Sequence, residues 1–216
     1  MKKCFISLFL LVFALGAFAQ PIQYKILTAC TDADTCSSAV SYPKFDNKTV
    51  LGKFANDRLS EAMKETDEYL LKVAAETKNP VPDTLKINCT VSRCDTDIIS
   101  GFFQIFFNDG KKDYMYYETF NFGMMNGEAK MLTLSDCFYN QKDELWVGAF
   151  GELSKNPNAT YIAEGKITMD TEPVDFRESF VITKNYISFI LDPGVIAPED
   201  KGEFIYKLKF TYYTQH

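Results

Sequence analysis

The 216-residue chain carries 29 aspartates and glutamates against 23 lysines and arginines, a formal net charge of −6, and a single histidine, His216. That balance repels polyanions, so neither nucleic acid nor an anionic lipid surface is an expected partner. One histidine at the very end removes Ser–His and Cys–His nucleophile pairs and histidine-based metal sites, and no glycine-rich phosphate-binding loop is present.

Met1 to Ala19 read as a secretory signal. Lys2 and Lys3 form a basic start, Ile6–Leu15 an apolar core, and Ala17-Phe18-Ala19 a small-x-small cleavage pattern before Gln20. The competing reading is an amphipathic or buried N-terminal helix. The apolar run is too short and wrongly flanked for a stable membrane span, and no later segment is long and apolar enough for one. Cleavage removes two lysines and takes the formal charge from −6 to −8. Residues 20–216 suffice for one good-sized core or two small ones. The expected location is secreted or periplasmic.

An exported chain is allowed disulfides. Cys30, Cys36, Cys89 and Cys94 fall into two local groups that admit two bridges, within or between groups. Zinc is disfavoured, because the spacings are loose and no histidine accompanies them. Cys137 reads as a small buried hydrophobe. Asn47, Asn88 and Asn158 each begin an N-glycan acceptor pattern, which matters only in a eukaryotic secretory pathway.

Pro21–Cys30 alternates apolar and polar residues as a strand does. Asp32 and Asp34 lie in a polar loop that lacks the rest of a calcium-binding pattern and reads as a solvated turn. Between Thr49 and Glu76, apolar residues from Leu51 to Ala74 recur at three-to-four spacing, which predicts one long helix or two with a break near Thr66. Pro80 and Pro82 end it, and a mild boundary falls near Asn79–Asp83. It separates a strand–helix segment, 20–83, from an α+β domain, 84–216.

Leu85–Val91, Ile98–Phe107, Tyr114–Phe122 and Lys130–Leu134 are strand-like. The second is almost wholly apolar, as a doubly covered strand is. Asn108-Asp109-Gly110 is a hairpin signal. Tyr114, Tyr116, Phe120 and Phe122 form a stripe that reads as a buried sheet face before it reads as a sugar-stacking platform. Ser135-Asp136 caps a helical turn. Gln141–Leu153 is a second helical stretch with Trp146 as its core anchor, and 163–169 is a short strand or helix. Two aromatic-rich runs, Phe180–Leu191 and Phe204–Tyr213, close the chain as strands around a loop broken at Asp192-Pro193-Gly194. The predicted fold is α+β: an antiparallel sheet with one long N-terminal helix and a second, shorter helix packed on it.

The strings Ser179-Phe-Val-Ile-Thr183, Ile187-Ser-Phe-Ile-Leu-Asp-Pro193, Ile196-Ala-Pro198 and Gly202 resemble the closing signature of the RsiV-like extracytoplasmic domain. Phe120-Asn-Phe122, Asn126-Gly127 and Leu132-Thr-Leu-Ser-Asp136 are similar to its middle signature, and Tyr42-Pro43 with the following helix is similar to the segment before it. That domain also forms the non-catalytic region of the peptidoglycan deacetylase PdaC. The chain departs from the pattern at 108–112, which lacks the family's Gly-Gly-Ala-His string, and at Gly194, where the family has tyrosine. The resemblance implies an extracytoplasmic module without signalling or catalytic parts, and it assigns no catalytic residue here.

A non-catalytic binding module is therefore expected, with a lysozyme-like protein or a cell-envelope glycan as ligand and with no metal or cofactor. A carboxylate glycosidase is the leading alternative, because that chemistry needs only two acids at a set separation; Glu118, Asp136, Asp192 and Glu199 are its candidates. A passive structural or adhesion protein is the third reading.

Overall fold

The computed structural model describes residues 22–30, 38–77, 84–108, 112–137 and 145–209. The expected signal segment, Asp32 and Asp34, Cys36, the 79–83 boundary, the tip of the 108–112 turn, residues 141–144 and His216 lie outside them.

Six strands form the larger sheet in sequence order: β1 (Tyr24–Cys30), β2 (Ser38–Phe45), β3 (Thr84–Cys94), β4 (Ile98–Asn108), β5 (Asp113–Met125) and β6 (Glu128–Met131). All neighbours are antiparallel except β2 and β3, which run parallel. Parallel neighbours require a crossover, and α1 (Val50–Thr77) supplies it. Thr49 caps the start of α1, its hydroxyl accepting from Gly52 N–H at 3.0 Å. Leu51, Ala55 and Leu59, four residues apart on one face, pack with Ile99, Phe120 and Phe122 of the sheet. Asn56 acts as a strand partner for Phe45, accepting from its N–H and donating to its carbonyl, both at 3.0 Å.

A smaller antiparallel sheet contains β7 (Phe180–Ile182), β8 (Tyr186–Leu191) and β9 (Phe204–Lys209). Alternation gives each of its strands two different faces. Ile187, Phe189, Leu191 and Phe204 join a core with Trp146, Ala149 and Leu153 of α3 (Leu145–Leu153) and Ile162 of α4 (Thr160–Ala163). Val181 and Ile190, on the other face, meet Tyr117 of the larger sheet. Layers thus follow one another as α1, larger sheet, smaller sheet, then α3 and α4.

The α+β class and the antiparallel pairing of the central strands match the sequence reading. The expected single sheet is instead two. The shorter helix packs on the smaller sheet and α1 on the larger. Leu132 and Thr133 are not strand, and Leu134 opens α2 (Leu134–Cys137).

The sheets are separate because side chains, not a backbone ladder, meet β7. Asn121 Nδ2 donates to Phe180 O at 2.8 Å, Ser100 Oγ donates to Asn121 Oδ1 at 2.7 Å, and Ser100 Oγ accepts from Ile182 N–H at 2.7 Å. Ser100 is 0% and Asn121 6% exposed. The network takes up Phe180 O and Ile182 N–H, two backbone groups that β7 turns away from β8.

The long strand β5 is covered in a similar piecemeal way. Strand β6 pairs only with Phe122–Met125. Leu132 N–H then donates to Asn121 O at 2.8 Å. Thr119 Oγ1 donates to Glu178 O at 3.2 Å, and Tyr117 N–H donates to Asp192 Oδ1 at 2.9 Å. Lys112, just before β5, pairs with Glu199 at 2.7 Å.

Candidate functional site

A cavity of about 770 Å³ is an open groove between α1 and the β6–α2 connection, floored by β5. β5 alternation and its pairing with β4 put Phe103, Glu118, Phe120 and Phe122 on the α1 side of the sheet. Arg58, Glu61 and Ala62 of α1 form one wall; Met131 to Ser135 with Arg177, Glu178 and Phe180 form the other. Two glycines make the floor possible. A Cβ on Gly101 would stand 2.5 Å from the Phe120 ring and 2.3 Å from Thr90 O, and one on Gly123 would stand 2.6 Å from Leu132 Cδ1.

The wall at Leu132–Ser135 is held by a capping box. Thr133 N–H and hydroxyl donate to Asp136 Oδ2 at 2.8 and 2.9 Å, while Lys130 pairs with Asp136 Oδ1 at 2.7 Å. Burial alone would raise the Asp136 pKa, but the bonds from Lys130 and Thr133 outweigh it and hold the carboxyl below its usual range. The cap residue is thus Thr133, with Asp136 reaching back to it; the sequence reading placed the cap at Ser135-Asp136.

The four candidate acids are dispersed. Asp136 serves the capping box, Asp192 receives Tyr117 N–H, and Glu199 pairs with Lys112. Glu118 alone among them lines the groove. Desolvation raises the pKa of Glu118. Desolvation also raises that of Asp192, with Asp175 and Glu118 adding repulsion and the Tyr117 bond opposing it. Arg58 pairs with Glu61 at 2.8 Å, and Arg177 grips Glu172 through two bonds of 2.5 and 2.8 Å. Among the described residues no cation pairs with Glu118 or Glu178.

The aromatic stripe is divided. Phe120 and Phe122 are core, whereas Tyr114 and Tyr116 are 40% and 38% exposed. Trp146 is buried, its Nε1 donating to Thr168 O at 3.2 Å. Cys89, Cys94 and Cys137 are free thiols, so neither expected bridge involving Cys89 or Cys94 is formed. Cys89 and Cys94 serve as partly buried apolar groups beside the α1 core, Cys137 beside the smaller sheet's core. Asn47, Asn88 and Asn158 are all exposed. Among the described residues no cluster of three metal-ligating side chains occurs, and no helix is long and apolar enough to cross a membrane.

Fold and groove together define an α+β two-sheet sandwich with an open, acid-rimmed, aromatic-floored groove. Its architecture is similar to that of solved DUF3298 family proteins. One, from Pseudomonas aeruginosa PAO1, superposes with a TM-score of 0.55 at 15% identity over 89% of this chain and 91% of its own. Another, from Bacteroides fragilis NCTC 9343, gives 0.49 at 15% identity over 89% and 92%. No protein-family model matches the sequence, and no curated protein does.

Proposed function

We propose that the chain is a secreted or periplasmic, non-catalytic binding module related to the RsiV-like extracytoplasmic domain, and that the groove beside β5 receives a basic, lysozyme-like protein. The observation that carries this reading is the groove itself. An apolar floor of Phe103, Phe120 and Phe122 is rimmed by Glu118 and Glu178, neither with a cation partner among the described residues. Exposed Met131 extends the apolar surface. A basic side chain entering there supplies the missing counter-charge, and the net negative charge, −6 for the full chain and more negative once the two lysines of the expected signal are removed, speeds the encounter.

The two strings behind the family resemblance have structural work in this fold. Leu132–Asp136 builds a groove wall, and Asp192 ties β8 to β5. A glycosidase has less support, since three of the four candidate acids are engaged elsewhere.

Binding of a C-type lysozyme is measured by biolayer interferometry across a salt series from about 20 to 300 mM, where the Debye length falls severalfold. Association should slow as salt rises, and Met131→Lys should weaken binding about tenfold or more. Absence of binding at the lowest salt sinks the reading.

A further inference from the structure

A second cleft, about 390 Å³, opens between the two sheets and shares no lining residue with the groove. Strand register builds it. Thr90 lies opposite Phe102, and Gln104 opposite Tyr117, on the larger sheet. Val181, Ser188 and Lys207 form one cross-strand row of the smaller sheet, and Ile190 pairs with Ile205 in the next.

The polar groups of this cleft are fixed yet incompletely used. Gln104 Nε2 donates to the Tyr117 hydroxyl at 2.8 Å, and the Glu203 carboxylate acts on that hydroxyl electrostatically. Burial, then the Glu203 charge, pushes the phenol up to about 12, so it stays a neutral link at physiological pH. The Gln104 amide nitrogen also reaches Met115 Sδ at 3.5 Å, which leaves its carbonyl oxygen as an unspent acceptor among the described residues. Ser188 is only 7% exposed, lines the cleft, and among the described residues its hydroxyl has no hydrogen-bond partner. Both groups still reach solvent, so a ligand that fills the cleft takes them out of water and must pair them. Glu203 and Lys207 are exposed at the rim and opposite in sign.

We propose that this cleft binds a neutral saccharide unit. The apolar walls, Phe102, Ile190 and Ile205, meet the C–H face of a pyranose ring. Hydroxyls that both donate and accept satisfy Ser188 and Gln104 at once. A purely apolar ligand leaves those two unpaired. An anion meets Glu203 and a cation meets Lys207. The volume sits near the lower end of the ~300–1,000 Å³ range of small-molecule pockets, which suits a mono- or disaccharide.

The test is ligand-observed saturation-transfer NMR on the full chain with maltose, cellobiose and N,N′-diacetylchitobiose, each at about 5 mM, a concentration matched to weak, millimolar binding. At least one disaccharide should receive saturation. Ile205→Trp, at a residue 48% exposed, should fill the cleft without entering a core and abolish the signal. Ser188→Ala should weaken binding about three- to tenfold. Far-UV circular dichroism and an unshifted urea midpoint verify that both variants are folded. No transfer to any of the three sugars overturns the proposal. So does transfer that persists in Ile205→Trp, or an unchanged Kd in folded Ser188→Ala. Lysozyme binding in the groove should survive Ile205→Trp, so this site and the proposed protein site fail independently.

Discussion

Replacing Asn121 with Ala tests the joint between the sheets. The substitution removes the donor to Phe180 O and the acceptor for Ser100 Oγ, at 2.8 and 2.7 Å. The Ser100 hydroxyl keeps its bond from Ile182 N–H, but the buried Phe180 carbonyl is left without its donor. One stranded buried acceptor costs about 1–3 kcal/mol, and the small void left by the amide adds to it, for a total of about 2–4 kcal/mol. Ser100→Ala strands Ile182 N–H instead and should cost about as much. Because both residues serve one network, the double variant should fall short of additivity by about 1 kcal/mol or more. Urea unfolding can be followed by two probes. Trp146 emission reports the core of the smaller sheet, and far-UV circular dichroism reports all elements. Wild type should give coincident curves. Additive single effects, or single effects below about 0.5 kcal/mol, would refute the network as the link between the sheets.

Asp192→Asn keeps an oxygen for Tyr117 N–H and removes a charge that burial, Asp175 and Glu118 all disfavour. Since the folded-state pKa lies above the unfolded one, the native state binds more protons at this group, and the contribution of Asp192 to stability falls as pH rises above about 4. The variant should be at least as stable as wild type near pH 7 and show a flatter profile between about pH 4 and 6; a steeper one contradicts the assigned cause. Gly101→Ala should destabilise by about 2–4 kcal/mol, because the new methyl meets backbone Thr90 O as well as Phe120, while Gly123→Ala, which meets only the Leu132 side chain, should cost less; equal midpoint shifts in urea would refute this ranking. Burial pushes the thiols of Cys89 and Cys137 up to about 12 and that of Cys94 up to about 11, so all three should resist a thiol reagent at pH 8 and react fully in denaturant; prompt labelling of the native chain would contradict their placement.

Sequence periodicity revealed most strands but not their division between two sheets. The all-apolar run from Phe102 is legible as a doubly covered strand, and β4 does lie between α1 and the smaller sheet. Alternation tells which residues share a face, not which ladder a strand joins. Ser100 and Asn121, the residues that decide this for β7, look like any polar residues in a strand. Strand β2 does not read as a strand in the sequence: Pro43 lies within it, and a proline in a strand pattern argues against one. Leu132–Leu134 imitated a strand because its apolar residues alternate, while the signal for a cap, Thr133 followed three residues later by Asp136, was attributed to Ser135. The second cleft was not legible at all. Its polar residues come from five strands and the loops beside them, and only the packing of the two sheets brings Gln104, Ser188 and Glu203 together.

The covering of β5 has a consequence for the chain before it is complete. Its guards, Glu178, Asp192 and Glu199, all come from the final third of the sequence. A fragment ending near residue 170 would keep an extended, aromatic-rich ribbon with nothing alongside it beyond Asn121, a template on which further copies can stack. Shortened versions of this protein should therefore clump, and clumping should stop once the closing hairpin is present.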